Sequence, residues 1–281
     1  NAFLGGISKN YGTNYILSED SDYVVIEADE FDRSFYHLTP WIAVVTATDA
    51  DHLDIYNDLA HVHEAFKAFA SQCRKIVIKK YGLDITPEDT KARILTYAYN
   101  DARADFHAEN ITKDECGYFT FDLVHPKGVI SAVKCGVPGW VNVENSVGAA
   151  AIALSYGVNP AAVRHAIGTF SGVKRRFDIH FNIPGCSYID DYAHHPKEIL
   201  QSARSMRELY SDRKITTIFQ PHLYTRTRDF ADDFRRVLHS VDELILLPIY
   251  PARELPIEGI TSELLRDENS STTDCIVEKE K

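Results

Sequence analysis

Two acidic clusters, each directly behind a short apolar run, constrain the fold of this chain more than any other feature. Glu27-Ala-Asp-Glu-Phe-Asp32 follows Tyr23-Val-Val-Ile26, and Thr48-Asp-Ala-Asp-His-Leu-Asp54 follows Trp41-Ile-Ala-Val-Val45. Buried strands that end in carboxylates and a histidine place these groups at the carboxyl edge of a sheet, where open α/β sheets bind ligands. The pattern therefore predicts an α/β fold with a polar site at that edge.

The chemistry of the two clusters suits a divalent cation. Carboxylates with one imidazole favour a metal in phosphate chemistry, because Mg²⁺ takes few protein ligands and leaves the other positions to water and phosphate. For either cluster alone, solvated loop residues or a helix cap are an equally good interpretation, since short motifs often occur by chance. Both clusters together, in this order, favour a metal site.

Length and charge limit the class of protein. A chain of 281 residues is long enough for about two domains with full cores. The net charge of −11 argues against a nucleic-acid-binding surface, although a local basic pocket can still hold an anion. Five cysteines without a C-x-x-C pair fit a reducing cytosol, and no apolar run reaches the roughly 18 residues that span a bilayer.

Alternating strand-like and helical patterns organise residues 1–172. Four β-branched or apolar runs of strand length are expected at 24–27, 42–46, 74–78 and 92–97. Short alternating runs between 105 and 136 predict a meander or hairpins. Helical spacing predicts helices at 61–70 and 145–156, the second closed by Gly157, and a further helix that opens at Pro160.

A second unit is expected after Gly172-Val-Lys-Arg-Arg176, which we interpret as a hinge. Strands at 187–190, 214–219 and 243–247 alternate with helices at 196–210 and 228–239. This β-α-β-α-β order predicts a doubly wound parallel sheet.

Four further segments carry polar groups suited to chemistry. Asn142-Val-Glu-Asn145 can read an adenine edge, although Asn145 can also simply cap the following helix. Lys174-Arg-Arg176 gathers cations in an acidic chain, and a solvated turn is the alternative. Asp190-Asp-Tyr-Ala-His-His-Pro196 and Gln220-Pro-His-Leu-Tyr-Thr-Arg-Thr-Arg228 each follow a strand and bring histidine, arginine and aspartate to one rim of the sheet.

Taken together, these segments closely resemble the Mur ligases of peptidoglycan synthesis, over essentially the whole chain. The matching segments are Glu27-Ala-Asp-Glu30, Asp32-Arg-Ser-Phe35, Asp49-Ala-Asp-His-Leu-Asp54, Gly172-Val-Lys-Arg-Arg-Phe-Asp178, Asp191-Tyr-Ala-His-His-Pro-Lys-Glu198, Gln220-Pro-His-Leu-Tyr-Thr-Arg-Thr-Arg-Asp229 and Leu247-Pro-Ile-Tyr-Pro-Ala-Arg-Glu254. Such ligases have a UDP-sugar domain, a central ATPase domain and a Rossmann-like C-terminal domain for the amino acid. The resemblance implies the central ATP-binding domain at 1–172 and the C-terminal domain at 173–281.

The resemblance also implies an activity. The members that this chain resembles most use ATP and Mg²⁺ to join L-alanine to the carboxylate of UDP-N-acetylmuramic acid through an acyl phosphate, in the cytoplasm. Carried over by motif, the residues and their implied roles are Glu27 and His52 as magnesium ligands, Asn142 and Asn145 as adenine contacts, Asp191 as a ribose contact, Arg175 and Arg176 as phosphate contacts, and His194, His222 and Arg226 on the L-alanine side. Among these, Glu27, His52, Arg176 and His194 are the candidate catalytic residues.

One departure from the family bears on activity. The family's phosphate loop, T-H-G-K-T, precedes the position where this chain begins, and no G-x-x-x-x-G-K-[ST] occurs in the sequence. From the same comparison we expect the UDP-sugar domain and the last C-terminal elements to lie outside this chain. We therefore expect a fragment that is inactive by itself.

Two other functions remain open at this stage. A sibling ligase attaches a recycled murein tripeptide to the same sugar, but Val45-Thr-Ala-Thr-Asp-Ala-Asp-His-Leu-Asp54 resembles the L-alanine enzymes more. A metal-dependent phosphohydrolase built on Asp51-His52-Leu-Asp54 is the alternative from another class. It would leave the C-terminal motifs without a role.

Overall fold

Two sets of strands and helices, joined near residue 173, make up the chain. The computed structural model describes residues 1–49, 53–115, 117–267 and 272–276. The chain divides into unit 1, Asn1–Val173, and unit 2, Lys174–Lys281. No helix within the described ranges is long and apolar enough to cross a membrane.

Unit 1 begins with short strands and ends with two helices. In chain order its elements are β1 (Ala2–Phe3), β2 (Tyr15–Ile16), β3 (Val25–Ile26), a 3₁₀ segment (Phe31–His37), β4 (Ile42–Val45), α1 (Leu53–Tyr56), α2 (Leu59–Ser71), β5 (Ile76–Lys80), β6 (Arg93–Tyr97), β7 (His107–Lys113), β8 (Phe119–His125), β9 (Gly128–Lys134), α3 (Trp140–Tyr156) and α4 (Pro160–Thr169).

The described residues of unit 1 form three sheets. In the first, β1 pairs antiparallel with β2 and parallel with β3. In the second, β4, β5 and β6 are all parallel. The third is the antiparallel meander β7-β8-β9, which the alternating runs between 105 and 136 predict.

The alternation of side chains in β5 explains the layers around the second sheet. Val77 is buried in a cluster with Phe69 of α2, whereas Ile76 and Ile78 are buried in a cluster with Val147 of α3. Successive side chains of a strand point to opposite faces, so a strand that is apolar at every position is covered on both sides. The sheet is therefore sandwiched between α2 and α3, and its carboxyl edge leads into the second acidic cluster.

The start of α3 differs from the sequence-based prediction. The helix begins at Trp140, and its N-cap is Gly139 at φ 96°. Asn142 and Asn145 therefore lie inside the first turns, and the interpretation of Asn145 as a cap is wrong. The far end agrees with the prediction: Gly157 at φ 109° caps the helix with its N–H on the carbonyls of Ala153 and Leu154.

Unit 2 contains a hairpin and a small parallel sheet. In chain order its elements are β10 (Asp178–Ile183), β11 (Cys186–Asp190), α5 (Pro196–Leu209), β12 (Thr216–Phe219), α6 (Tyr224–Asp229), α7 (Ala231–Leu238), β13 (Glu243–Leu246), a 3₁₀ segment (Ser262–Leu265) and β14 (Thr273–Ile276).

The sheet of unit 2 corrects one detail of the prediction. Among the described residues the parallel sheet has the order β12-β13-β14. The predicted first strand, β11, instead pairs antiparallel with β10.

The predicted helix at 228–239 is two helices, α6 and α7, separated at Phe230. Phe219, Leu244 and Leu246 are buried on the covered face of the sheet, with Phe234 and Leu238 of α7.

Candidate functional site

Glu27 follows β3 and is held by a glycine in the loop after β1. Its backbone N–H donates to the carbonyl of Phe3 at 3.2 Å, and its Oε2 accepts the N–H of Gly5 at 2.7 Å. A Cβ at position 5 would lie 2.4 Å from that oxygen, which is closer than any Cβ contact allows. Glycine at this position therefore lets the carboxylate lie flat against the backbone.

The chain around the first acidic cluster contacts the residues that follow the second cluster. The hydroxyl of Tyr56 donates to the carbonyl of Glu30 at 2.6 Å, and Arg33 donates to the carbonyl of Ile55 at 3.2 Å. Burial, with the charges of Tyr36 and Glu30, raises the pKa of Tyr56 to about 12, so the phenol stays a donor at neutral pH. His52, the predicted second ligand, lies outside the described residues.

A single carboxylate is compatible with a magnesium ion. Within the described ranges, no group of three or more His, Cys, Asp or Glu side chains is arranged to hold a metal. Glu27 is exposed, and Mg²⁺ usually binds through one or two carboxylates together with phosphate oxygens and water. The donor set at Glu27 therefore fits this ion in the presence of a phosphate substrate.

The two asparagines proposed as adenine contacts differ in their surroundings. The side-chain amide of Asn142 donates to the carbonyl of Pro138 at 2.7 Å and is half-buried. Asn145, one turn further along α3, is exposed. Between them Glu144 accepts from Lys80 at 2.8 Å, which ties the start of α3 to the end of β5. Asn145 is thus the more accessible of the two side chains.

Arg175 and Arg176 both lie against one aromatic ring at the start of unit 2. Their guanidinium carbons are 4.8 Å and 5.6 Å from the centroid of Tyr192. Arg175 adopts φ 61° and Phe177 φ 48°, so the turn is strained at two positions. The carbonyl of Arg175 accepts the N–H of Tyr192 at 2.7 Å, which joins the turn at 175–177 to the segment that follows β11. The structure thus brings both predicted arginines to one exposed place.

Asp191 ties this turn to α5. Its Oδ1 accepts the N–H of Phe177 at 3.3 Å, and its Oδ2 accepts the hydroxyl of Ser202. The side chain is half-buried. The carboxylate predicted to contact a ribose therefore also fixes the segment that presents the arginines.

The two adjacent histidines of the next segment have different surroundings. His195 is buried at the N-cap of α5, where it and Glu198 form a capping box. The Nδ1 of His194 lies 2.9 Å from the carbonyl of Tyr192, so Nδ1 carries the hydrogen in the neutral ring and Nε2 is left as the acceptor. Of the pair, His194 is the one suited to bind a substrate.

His194, His222 and Arg226 come together in unit 2. The ring centroids of His194 and His222 are 6.2 Å apart, and His222 stacks on Tyr250 at 5.6 Å. Burial, together with the charges of Arg226 and His194, lowers the pKa of His222, so this imidazole is neutral at pH 7. Arg226 itself is buried, with 8% of its surface exposed. The three predicted residues thus form one cationic and aromatic cluster.

Four residues at these sites have no role in the sequence-based prediction. Gly5, Tyr192, Tyr250 and Glu254 each contact a predicted site residue or the segment that carries it. Tyr192, Tyr250 and Glu254 lie inside segments that resemble the family, so the family resemblance could have identified them from the sequence. Gly5 is recognisable only once the pairing of β1 with β3 is known, because that pairing brings it beside Glu27.

Two family models match the chain in succession. The Mur ligase middle domain matches residues 8–153, and the Mur ligase glutamate ligase domain matches residues 175–280. The chain belongs to the Mur ligase family.

Curated relatives extend this result. A UDP-N-acetylmuramate–L-alanine ligase from Parabacteroides distasonis is 51% identical over 284 residues, which cover 100% of this chain and 61% of the relative. A protein of the same name from Phocaeicola vulgatus is 50% identical over 269 residues, covering 95% of this chain and 58% of the relative. The chain thus spans about 60% of the length of these relatives.

Solved structures agree on the fold. A UDP-N-acetylmuramate-alanine ligase from Thermotoga maritima superposes with a TM-score of 0.78 at 26% identity, covering 99% of this chain and 60% of that one. A murein peptide ligase from Psychrobacter arcticus gives a TM-score of 0.62 at 19% identity over 95% of this chain and 58% of that one. The α/β fold class predicted from the sequence, with its two family domains, is confirmed.

Proposed function

We propose that this chain is part of an ATP-dependent ligase that joins L-alanine to the carboxylate of UDP-N-acetylmuramic acid, in the cytoplasmic synthesis of peptidoglycan precursors. The observation that carries the proposal is 51% identity, along the whole chain, to a relative named for this reaction. In the reaction, the muramic acid carboxylate takes the γ-phosphoryl group of ATP. The amine of L-alanine then attacks the resulting acyl phosphate, and inorganic phosphate leaves.

Unit 1 supplies the proposed groups for the nucleotide base and the metal. Asn142 and Asn145 would contact adenine from the first turns of α3, and Asn145 is exposed for this purpose. Glu27 and His52 would hold Mg²⁺, which neutralises charge on the phosphates when it is bound. Gly5 would keep the carboxylate of Glu27 oriented before the ion arrives.

Unit 2 supplies the proposed groups for phosphate, ribose and amino acid. Arg175 and Arg176 would stabilise the negative charge of the transferring phosphoryl group, since catalysis of this kind is mostly positioning and electrostatics. Asp191 would contact the ribose. His194, His222 and Arg226 would bind L-alanine, with the guanidinium on its carboxylate and a neutral His222 nearby.

A complete ligase tests the proposal directly. In it, this chain replaces the segment of the Parabacteroides distasonis relative with which it aligns, 61% of that relative's length. We expect release of ADP and phosphate only when both UDP-N-acetylmuramic acid and L-alanine are present, with UDP-N-acetylmuramoyl-L-alanine as the product detected by mass spectrometry.

The same assay separates the alternatives. A preference for a murein tripeptide over L-alanine would assign the chain to the sibling ligases. Hydrolysis of p-nitrophenyl phosphate with Mg²⁺ or Mn²⁺, without any amino acid, would indicate a phosphohydrolase. Either outcome would replace the proposed function.

A further inference from the structure

The segment after β13 has no role in the proposed reaction, although Leu247-Pro-Ile-Tyr-Pro-Ala-Arg-Glu254 resembles the family. In the structure it runs beside the segment that carries His222 and Arg226. Gln220 donates to the carbonyl of Pro248 at 3.0 Å, and the N–H of Tyr250 donates to the carbonyl of Pro221 at 2.8 Å. The two segments are thus joined along their length by hydrogen bonds.

Glu254, at the end of this segment, accepts several of these hydrogen bonds with one carboxylate. Its Oε2 accepts the N–H of Tyr224 at 2.6 Å and the N–H of Thr225 at 3.1 Å, and its Oε1 accepts the hydroxyl of Thr225. These are the first residues of α6, whose N–H groups have no partner within the helix. The N-cap residue is Leu223, whose apolar side chain cannot accept a hydrogen bond from these N–H groups. A carboxylate from a distant part of the chain therefore caps α6.

The cap holds a strained backbone. Leu223 adopts φ 71°, a strained conformation that a residue with a bulky side chain rarely takes. Its N–H donates to the carbonyl of Tyr250 at 3.0 Å, and its carbonyl accepts the hydroxyl of Thr227 at 2.7 Å. Such a conformation persists only where several contacts hold the backbone in place. Glu254 supplies some of these contacts, because it binds the N–H groups of Tyr224 and Thr225, which directly follow Leu223.

This turn lies between two of the proposed amino-acid contacts. His222 precedes Leu223 directly, and Arg226 lies in α6 one turn after it. A six-residue helix has little stability of its own, because helix formation in water needs a longer run. The directions of His222 and Arg226 therefore depend on how the first turn of α6 is anchored.

The charge of Glu254 also acts on this cluster. Burial and the charges of Arg226 and His194 lower the pKa of His222, while Glu254 opposes them. Tyr250, from the same segment as Glu254, stacks on the His222 ring at 5.6 Å. Tyr250 and Glu254 of the 247–254 segment thus both act on His222.

We propose that Glu254 is a positioning residue for the amino-acid site. Its carboxylate fixes the first turn of α6 and thereby the directions of His222 and Arg226. The inference rests on the proposed function, because it takes these two residues to bind L-alanine. It adds that their geometry depends on a side chain that does not itself touch the substrate.

Steady-state kinetics of the complete ligase test this. The variants are Glu254→Ala, Glu254→Gln and Thr225→Val, with Glu258→Ala as the matched control, since Glu258 is an exposed glutamate of the same loop. KM for L-alanine, KM for ATP, kcat and the melting temperature are measured for each. The conservative Gln variant keeps an oxygen that can accept both backbone N–H groups.

We expect Glu254→Ala to raise KM for L-alanine roughly tenfold, the size expected for loss of hydrogen bonds to a charged group, with KM for ATP unchanged. Glu254→Gln should recover most of this loss. Thr225→Val, which loses one hydrogen bond only, should give a smaller rise. Glu258→Ala should match the unsubstituted enzyme.

Three outcomes would overturn the inference. A lower melting temperature with an unchanged KM for L-alanine in all three variants would make Glu254 a structural residue only. A rise in KM for ATP alone would assign the segment to the nucleotide. If Glu254→Ala fails to fold, unchanged kinetics in Glu254→Gln and Thr225→Val would count equally against it.

A failure of the inference is distinguishable from a failure of the proposed function. Arg226→Ala in the same enzyme is the reference. If it raises KM for L-alanine while the Glu254 variants do not, the inference fails and the function stands. If the unsubstituted enzyme does not use L-alanine at all, the proposed function fails, and the inference fails with it.

Discussion

The carboxylate of Glu27 occupies the space that a Cβ at position 5 would need. The hydrogen bond from the N–H of Gly5 therefore influences the direction of this carboxylate. The N–H of Gly5 holds one oxygen at 2.7 Å in an exposed position. Orientation of a metal ligand by a neighbouring donor typically changes metal affinity by roughly tenfold to a hundredfold. The backbone of Gly5, in the loop after β1, thus orients the carboxylate that we propose as a magnesium ligand.

In the complete ligase, Glu27→Ala and His52→Ala should each lower kcat and raise the Mg²⁺ concentration for half-maximal rate by roughly tenfold or more. Each substitution would remove a ligand from an ion that neutralises phosphate charge. The measurement is the initial rate against Mg²⁺ at saturating ATP.

His61→Ala and His63→Ala are the controls for this prediction. The two residues lie at i and i+2 on α2, so they cannot face one ion, and His61 already pairs with Asp58 at 2.8 Å. If either control were as damaging as His52→Ala, the metal assignment would be wrong.

Arg226 should determine the affinity for the amino acid. A guanidinium binds a carboxylate through two parallel hydrogen bonds, so Arg226→Ala should raise KM for L-alanine by roughly one to two decades. Arg226→Lys should recover only part of this, because an ammonium cannot bind both oxygens in a planar fork. Michaelis constants for L-alanine and ATP are the measurement. A large rise for ATP with none for L-alanine would assign Arg226 to the nucleotide.

Among the elements, those with strong local signals were predicted well. Asn159 and Pro160 mark the start of α4, and Gly157 marks the end of α3, because capping chemistry acts within a few residues of the helix end. The period-2 runs of the meander gave β7, β8 and β9. Local patterns fixed these elements because their partners are close in sequence.

The elements that were mispredicted depend on features that the local pattern of apolar residues does not show. The N-terminus of α3 has no side-chain cap, so its start at Trp140 leaves no local signal. β11 is apolar enough for a parallel sheet, but its closest partner in the chain, β10, takes it into a hairpin. α6 starts before the predicted position because Glu254, far along the chain, caps it.

Loss of a local cap should have a measurable and modest effect. The side chain of Asn159 accepts the N–H of Ala161 at 2.8 Å. Asn159→Ala should therefore lower the free energy of unfolding by about 1 kcal/mol, while Asn159→Asp, which can accept the same hydrogen bond, should stay close to the original value. Urea denaturation followed by circular dichroism is the measurement. An unchanged free energy of unfolding in Asn159→Ala would show that the cap contributes nothing.

At the scale of the molecule, each unit has its own apolar core and its own share of the proposed chemistry. Within the part of the chain that the structure describes, two clusters of buried side chains lie in unit 1 and one in unit 2. The proposed adenine and metal contacts belong to unit 1, whereas the arginines and the amino-acid cluster belong to unit 2. The reaction that we propose therefore needs residues from both units, as well as a group that binds the β- and γ-phosphates of ATP.

The sequence of residues 1–281 contains no phosphate loop of the form G-x-x-x-x-G-K-[ST], and Arg175 and Arg176 are its only proposed phosphate contacts. Such a loop cradles phosphates with backbone N–H groups and a lysine, and catalysis of phosphoryl transfer consists mainly of this positioning. We therefore expect residues 1–281 alone to release no phosphate from ATP, with or without L-alanine, while the complete ligase does. Circular dichroism and a cooperative thermal transition would verify that the chain is folded in the assay. ATP-dependent ligation by residues 1–281 alone would show that other groups in this chain can hold the phosphates, and the proposed division of the chemistry would then be wrong.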